Sequence, residues 1–479
     1  MSNEDTPAIR NILYVSDMYD PAMDKKYELK HPGEAHHYSN LEEADILNIA
    51  EAPYTHVLVA FLHLDEDLGL HYNGILADEM DWEQFRKMQT GEHAKKILAS
   101  YGGWIKGMPD WVHIRGDDPE KEDAHIAKAA EVVADLVSEQ NLDGIDINFE
   151  GFQRHDESFL SVLGRFVVNL RLQLGDEKLI TIAPIHDNLN QQVDAINDAC
   201  AGTKYKSWQD IVSWVHCQFY LYPEVESNQD IKDKCETFIV PQPDPDASTG
   251  EKSALPIPAD KLVVGLPLWG SAPSKNEEHL ATYQSVIEQL IHDPKVQQHG
   301  GFGGVFVWRY SFTRYPENLD WAGKIVPVPI YQYEASKIEA LRYSYSPFAH
   351  YGEPGQGGEG WTNDGIAFWT FGKEGSVGVY GYYSVYDSGC WRYEYFLHEE
   401  ENEHWTQVGD KPLFYVFDSQ AKGTQPVYRY SAPPTHDYKS KRYQLSLDPN
   451  IDREGWEKDP EPAFYAYSPD AISASGSMV

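Results

Sequence analysis

Short runs rich in β-branched and aromatic residues recur through the first two thirds of the chain, and the stretches between them carry apolar residues at helical spacing. The runs read ILYVSDMY from Ile12, HVLVAFLH from His56, KKILASYGGW from Lys95 and LDGIDINFE from Leu142. They continue with LITIAPI from Leu179, IVSWVHCQFYLY from Ile211, KLVVGLPLW from Lys261 and GGVFVWRY from Gly303. Helical periodicity marks HIAKAAEVVADLVSEQ from His125, ESFLSVLGRFVVNLRLQL from Glu157 and YQSVIEQLIHD from Tyr283. Strands alternating with helices over about 300 residues predict an α/β fold, a (β/α)8 TIM barrel spanning residues 1–328. A barrel of this kind assembles its functional groups at the carboxyl ends of the strands, so polar residues that close a strand carry the most information.

Beyond that point the pattern changes. VPVPI, from Val326 to Ile330, reads as a linker, and the chain then becomes rich in Tyr, Trp and Gly. LRYSYS at Leu341, VYGYYS at Val379 and VYRYSA at Val427 each lead to a Trp and then to an aromatic strand. The copies set Trp361, Trp405 and Trp456 ahead of the pairs Phe368-Trp369, Phe414-Tyr415 and Phe464-Tyr465. Three β-rich units, none able to bury its own face, predict a smaller all-β, β-trefoil-like domain over residues 329–479, whose aromatic faces make it a candidate carbohydrate-binding module. Recurrence at equivalent places favours a core role for the repeated Trp residues. Trp391, Tyr393 and Tyr395 fall outside the repeated strand and are the candidates for exposure.

Charge narrows the function classes. The 39 Lys and Arg against 76 Asp and Glu give a net charge of −37, which repels phosphate backbones and anionic lipid surfaces but does not oppose neutral ligands. Nucleic-acid binding and membrane insertion are therefore not expected, and no apolar run reaches membrane-spanning length. Cys200, Cys217, Cys235 and Cys390 lie far apart, with neither disulfide nor zinc spacing. His31, His36 and His37 sit in a loop-like stretch without metal-ligand partners, so no metal is expected. The start, MSNEDTPAIRN, lacks the basic and apolar regions of a secretory signal; as written the chain is expected to be cytoplasmic, or exported by another route.

The densest chemistry is in DGIDINFE. Period-two alternation sets Asp146, Asn148 and Glu150 on one face of a strand, with Asp143 near-alternating before them. In a barrel that face is the interior, where unpaired polar groups cost several kcal/mol each. Such a line is either a satisfied buried network or a functional site.

DGIDINFE resembles the DGxDxDxE signature of glycoside hydrolase family 18, the chitinases and chitinase-like proteins, with Asn148 where the pattern has Asp. Further landmarks follow in order: Ser100-Tyr101-Gly102-Gly103-Trp104 resembles SxGG, Ala60-Phe61 the Phe after the second strand, Ala183-Pro184 a fifth-strand pattern. Gln218-Phe219-Tyr220 is similar to the QFY of class III chitinases, and Trp308 stands where the family has its eighth-strand Trp. The resemblance covers roughly residues 10 to 325.

It implies a glycosidase acting on N-acetylglucosamine-containing glycans without a cofactor. In this family the substrate's own 2-acetamido oxygen attacks the anomeric carbon, so one protein carboxylic acid suffices. Glu150 would then be the proton donor, a role served by burial. Asn148 would accept from the acetamide N–H without supplying charge, Tyr220 would position the acetamido carbonyl, and Asp146 would belong to the same catalytic set. Trp308, Gln218, Phe61, Gly102 and Asp143 would contact substrate. The short connection between the last two barrel strands favours an open groove and internal cleavage. Three activities stay open: an endo-acting chitinase, a chitinase-like lectin disabled by Asn148, and an endo-β-N-acetylglucosaminidase acting on N-glycans. Oligomeric state is not indicated.

Overall fold

The computed structural model describes residues 9–15, 46–47, 49–50, 52–72, 75–90, 94–103, 110–150, 156–219, 228–240, 256–267, 283–308, 327–335, 342–346, 361–372, 376–385, 391–397, 406–407, 412–421, 423–433 and 441–469. All eight predicted barrel strands form. They are β1 (Arg10–Val15), β2 (His56–Leu64), β5 (Lys96–Gly102), β6 (Gly144–Asn148), β7 (Leu179–Ile182), β8 (Trp214–Gln218), β9 (Leu262–Pro267) and β10 (Gly304–Trp308), with a small hairpin of β3 (Leu70–Tyr72) and β4 (Ile75–Leu76) leaning on β2. Every neighbouring barrel pair is parallel, and β1 pairs with both β10 and β2, which closes the ring.

Two cores divide the strand residues by parity. Leu13, Val57, Val59, Ile97, Ala99, Ile145, Ile147, Ile180, Val215, Val264 and Val305 face outward into the layer shared with the helices. Ile12, Tyr14, Leu58, Ala60, Leu98, Trp214, Val263 and Phe306 fill the barrel interior. Strands buried on both faces explain why the runs read as nearly continuous apolar segments rather than clean alternations. Helices Glu122–Glu139 and Glu157–Leu174 cover β5 to β7; Asp156 caps the second by accepting from the Ser158 N–H, and Gly175 ends it at φ 71°. The amphipathic helices Leu189–Ala199, which buries Leu189, Val193 and Ile196, and Asn228–Ile239 fill out the shell.

The second domain is all-β and threefold in build. In each unit a long first strand pairs antiparallel with a second and a closing strand. The triples are β11 (Val328–Ala335) with β12 (Arg342–Ser346) and β13 (Trp361–Thr370), β14 (Ser376–Val385) with β15 (Trp391–Phe396) and β17 (Phe414–Phe417), and β18 (Gln425–Ala432) with β19 (Arg442–Ser446) and β21 (Phe464–Ala466). Short β16 (Thr406–Gln407) and β20 (Glu457–Lys458) add to the second and third units.

Two expectations need correction. Val328 to Ile330, expected in a linker, opens β11. LRYSYS is a second strand, whereas VYGYYS and VYRYSA are first strands; their true counterpart is IYQYEA in β11. First and second strands share the same Tyr-x-Tyr composition, so only pairing tells them apart.

Phe368, Val379, Phe414, Val427 and Phe464 form the centre of this domain, with Trp456 partly buried against it. Trp361 is half-buried, Trp405 lies outside the described residues, as do the side chains of Trp391 and Tyr393, and Tyr395 is half-buried rather than exposed. Trp369, Phe371, Phe417 and Tyr467 instead join the core of the barrel.

Candidate active site

The carboxyl end of β6 carries the constellation. Asp146, Asn148 and Glu150 are 0, 4 and 8% exposed, so the whole line enters the barrel mouth as period two requires. Asp146 lies deepest and accepts four hydrogen bonds. Tyr14 Oη and Ser100 Oγ donate to Oδ2 at 2.9 and 2.7 Å, and Thr181 Oγ1 and His216 Nδ1 meet Oδ1 at 2.6 and 3.0 Å. Trp214 Nε1–H, 2.7 Å from His216 Nε2, fixes the imidazole tautomer: Nε2 must accept, which puts the proton on Nδ1, facing Asp146. Burial pushes the Asp146 carboxyl up, but the hydrogen bond and electrostatic attraction of His216, together with the hydrogen bonds from Thr181 and Ser100, outweigh it and leave the group below the ordinary carboxylate range.

One layer higher, Gln218 joins the two residues above Asp146. Its Nε2 lies 3.1 Å from Asn148 Oδ1, 2.8 Å from Glu150 Oε1 and 2.7 Å from the Ala183 carbonyl. The Glu150 carboxyl and the Ala183 carbonyl determine the amide orientation of Gln218, whose two hydrogens are shared with the longer contact to Asn148 Oδ1. At the rim, Phe61 follows a cis peptide bond and stacks on the half-buried Trp308, with centroids 5.2 Å apart and planes at 23°. Tyr14 meets the Trp308 ring edge-on at 5.5 Å, so the aromatic wall and the acid network share a residue.

Two glycines let these parts approach. A Cβ on Gly102, at φ 102°, would sit 2.2 Å from the Asn148 carbonyl oxygen, and one on Gly103, at φ 86°, would meet the Phe61 ring at 2.4 Å. The Gly103 N–H donates to the Asn148 carbonyl at 2.9 Å, which pins the loop after β5 to the strand that carries the acid.

The structure thus brings together Glu150, Asn148, Asp146 and Gln218 in one hydrogen-bonded mouth, with Gly102 packed against it and Phe61 and Trp308 as its wall. Tyr220 and Trp104 lie outside the described residues. Asp143 is not part of the cluster. It precedes the amino end of β6, accepting from Ile97 N–H and Gln89 Nε2 at 2.8 Å each and pairing with Lys96 Nζ at 3.1 Å. Seven residues of extended chain put it about 20 Å from Glu150, at the opposite face of the barrel. Sequence reasoning missed Tyr14, Thr181, Trp214 and His216. Their signal was parity: each holds an inward position of its strand, level with or below Asp146.

No group of His, Cys, Asp or Glu among the described residues is arranged to hold a metal, and no described helix is long and apolar enough to cross a membrane.

A family model described as glycosyl hydrolases family 18 matches residues 33–379. The chain belongs to this family. The match begins after β1, runs through the other seven barrel strands and continues past β13 into the second domain. A secreted chitinase, LysM12, of Penicillium expansum is 27% identical over 151 residues, 29% of this chain. That alignment spans only 10% of the relative's length. Among solved structures, a family 18 chitinase from Pseudoalteromonas aurantia overlays with a TM-score of 0.44 at 20% identity, covering 65% of this chain and 97% of the other. A fungal endo-β-N-acetylglucosaminidase of the family gives 0.42 at 17% identity, covering 66% and 96%.

Proposed function

We propose that this family 18 chain is an endo-acting glycosidase that hydrolyses β-1,4-linked N-acetylglucosamine polymers with retention, using the substrate's acetamido group as nucleophile. One observation carries the reading: a single amide, Gln218, holds Asn148 and the acid Glu150 side by side in a buried mouth beside a stacked aromatic wall. A sugar ring lies against Trp308 and Phe61 through its apolar face. Glu150 gives its proton to the glycosidic oxygen as that bond breaks, and the acetamido carbonyl oxygen bonds to the anomeric carbon. The carboxylate then takes a proton from water as water opens the cyclic intermediate, which restores the acid.

Asn148 decides how fast this runs. Its oxygen has two lone pairs; Gln218 occupies one, and the other accepts the acetamide N–H as the intermediate forms. The amide brings no negative charge to the cationic intermediate, a loss of roughly 10²-fold by the scale of electrostatic preorganisation. The same neutrality supports a second reading, a sugar-binding protein with the acid intact and the chemistry stalled.

Incubation with chitin hexamer and with a high-mannose glycoprotein, followed by product mass and anomer analysis, separates the readings. The expected result is internal cleavage of the oligomer with the β anomer formed first, a loss of about 10²- to 10⁴-fold in Glu150→Gln, and a gain of at least about tenfold in Asn148→Asp. Tight binding without cleavage by the native chain, and cleavage regained in Asn148→Asp, would establish the binding protein instead. Release of the mannose-rich glycan with the oligomer untouched would redirect the substrate to N-glycans.

A further inference from the structure

The three units of the second domain are tied by a ring of hydroxyls that is broken at one position. Residues 343, 393 and 443 are all Tyr; two places on, the chain has Tyr345, Tyr395 and then Leu445. These hold like positions on β12, β15 and β19, opposite Gln332, Gly381 and Arg429 of their first strands. The Tyr395 hydroxyl accepts from the Tyr345 N–H at 2.7 Å and donates to the Tyr345 carbonyl at 3.2 Å. The Tyr345 hydroxyl repeats this on the third unit, at 2.7 Å from the Leu445 nitrogen and 2.8 Å from its carbonyl oxygen. Each tyrosine therefore reaches from its own unit to the backbone of another. The next link would run from residue 445 to Tyr395, and leucine has no hydroxyl to make it.

A pocket of about 320 Å³ opens at this place, with Leu445 and Tyr395 both in its lining. Phe396 and Phe464 add aromatic surface, and Arg429 and Asp459 supply its polar side. Arg429 Nε and Asp459 Oδ2 are 2.7 Å apart and each about one third exposed, so the pair is held in place yet reachable. That volume lies at the lower end of the roughly 300–1,000 Å³ of small-molecule sites, enough for one or two sugar rings.

We propose that this pocket is a second glycan-binding site that takes a terminal N-acetylhexosamine ring. The chemistry is that of a neutral ligand with one apolar face and neighbouring hydroxyls. Tyr395 offers surface to the C–H face of a pyranose, and the paired guanidinium and carboxylate present donors and acceptors side by side to adjacent hydroxyls. The acetamido methyl fits the Leu445–Phe464 wall. Anions are disfavoured because Asp459 neutralises Arg429, Glu461 also lines the pocket and the whole chain carries −37. The choice of an acetamido sugar rests on the activity proposed for the barrel. On that footing the site is an anchor on the same polymer, raising the effective concentration of chain at the groove.

Leu445→Tyr tests this directly, since it closes the hydroxyl ring and fills the pocket. In the full chain carrying Glu150→Gln, calorimetric titration with chitin tetramer is expected to count two ligands per chain, and one when Leu445→Tyr is added. Leu445→Tyr alone is expected to melt no lower than the native chain, to hydrolyse soluble oligomer at the native rate and to bind insoluble chitin at least fivefold less. Asp459→Asn, which keeps the shape of the pocket, is expected to weaken the second site at least tenfold. A ligand count that Leu445→Tyr leaves unchanged, or full affinity in Asp459→Asn, would each overturn the proposal. Trp308→Ala separates the sites. If the barrel reading alone fails, hydrolysis is absent and Trp308→Ala removes no ligand, while the site sensitive to Leu445→Tyr remains.

Discussion

At the scale of single residues, the unusual group is Asp146. A carboxylate with no solvent contact would ordinarily be neutral, yet four donors converge on it. Asp146→Ala strands all four of them inside the barrel. The expected cost is about 3–5 kcal/mol, measured as a lowered urea midpoint. The acid limb follows from the direction of the shift. The group lies lower in the folded than in the unfolded chain, so its contribution is complete above the unfolded carboxyl value of about 4 and is lost as pH falls below it. Asp146→Asn, which cannot titrate, should flatten that part of the stability profile. The sequence pointed to Asp146, Asn148 and Glu150 by their alternation. It did not point to Tyr14 or His216, because an aromatic or imidazole ring inside an apolar run reads as core, and their partners lie 132 and 70 residues away.

At the scale of elements, the site depends on how closely β5 approaches β6. Gly102 and Gly103 adopt positive φ and give up their Cβ space to the Asn148 carbonyl and the Phe61 ring. In Gly102→Ala a Cβ 2.2 Å from that oxygen must push β6 aside, which displaces Asn148 and Glu150 together. With Glu150 and Asn148 in the catalytic roles proposed for them, a shift of about 1 Å costs on the order of 10²-fold, so turnover should fall by that factor while far-ultraviolet circular dichroism stays native. The SYGGW motif was legible as a family landmark. Its physical reason was not, because the contact is between strands. The three-unit rhythm of the second domain was likewise visible in its Tyr and Trp spacing, but its phase was misread in the first unit, where first and second strands are chemically alike.

At the scale of the whole molecule, the barrel and the all-β domain share a core. Trp369, Phe371, Phe417 and Tyr467 belong to the barrel's hydrophobic cluster, and Gln284 Nε2, on helix 283–291, donates to the Gly372 carbonyl at 2.7 Å. Neither surface suits water once separated. Calorimetry of the native chain should therefore give one cooperative transition. Trp369→Ala, at a site 3% exposed, should lower it by the equivalent of about 3–5 kcal/mol, with loss of activity tracking loss of tryptophan fluorescence. Two separated transitions would mean that the contact does not couple the domains.

The sequence by itself determined the eight strands, the barrel, the line of polar residues on β6 and the threefold rhythm that follows, because each is written in local periodicity or in a short motif. The tertiary structure decided which of those residues work together. Asp143 left the cluster because a strand has two ends and only one opens on the mouth. Gln218 joined Asn148 to Glu150, and His216 and Tyr14 gathered on Asp146, because closing a sheet into a ring brings distant strands to the same layer. Leu445 became informative only once the two tyrosines that hold its equivalent positions were seen passing hydroxyls from unit to unit. Such relations depend on closure through space, which no window along the chain contains.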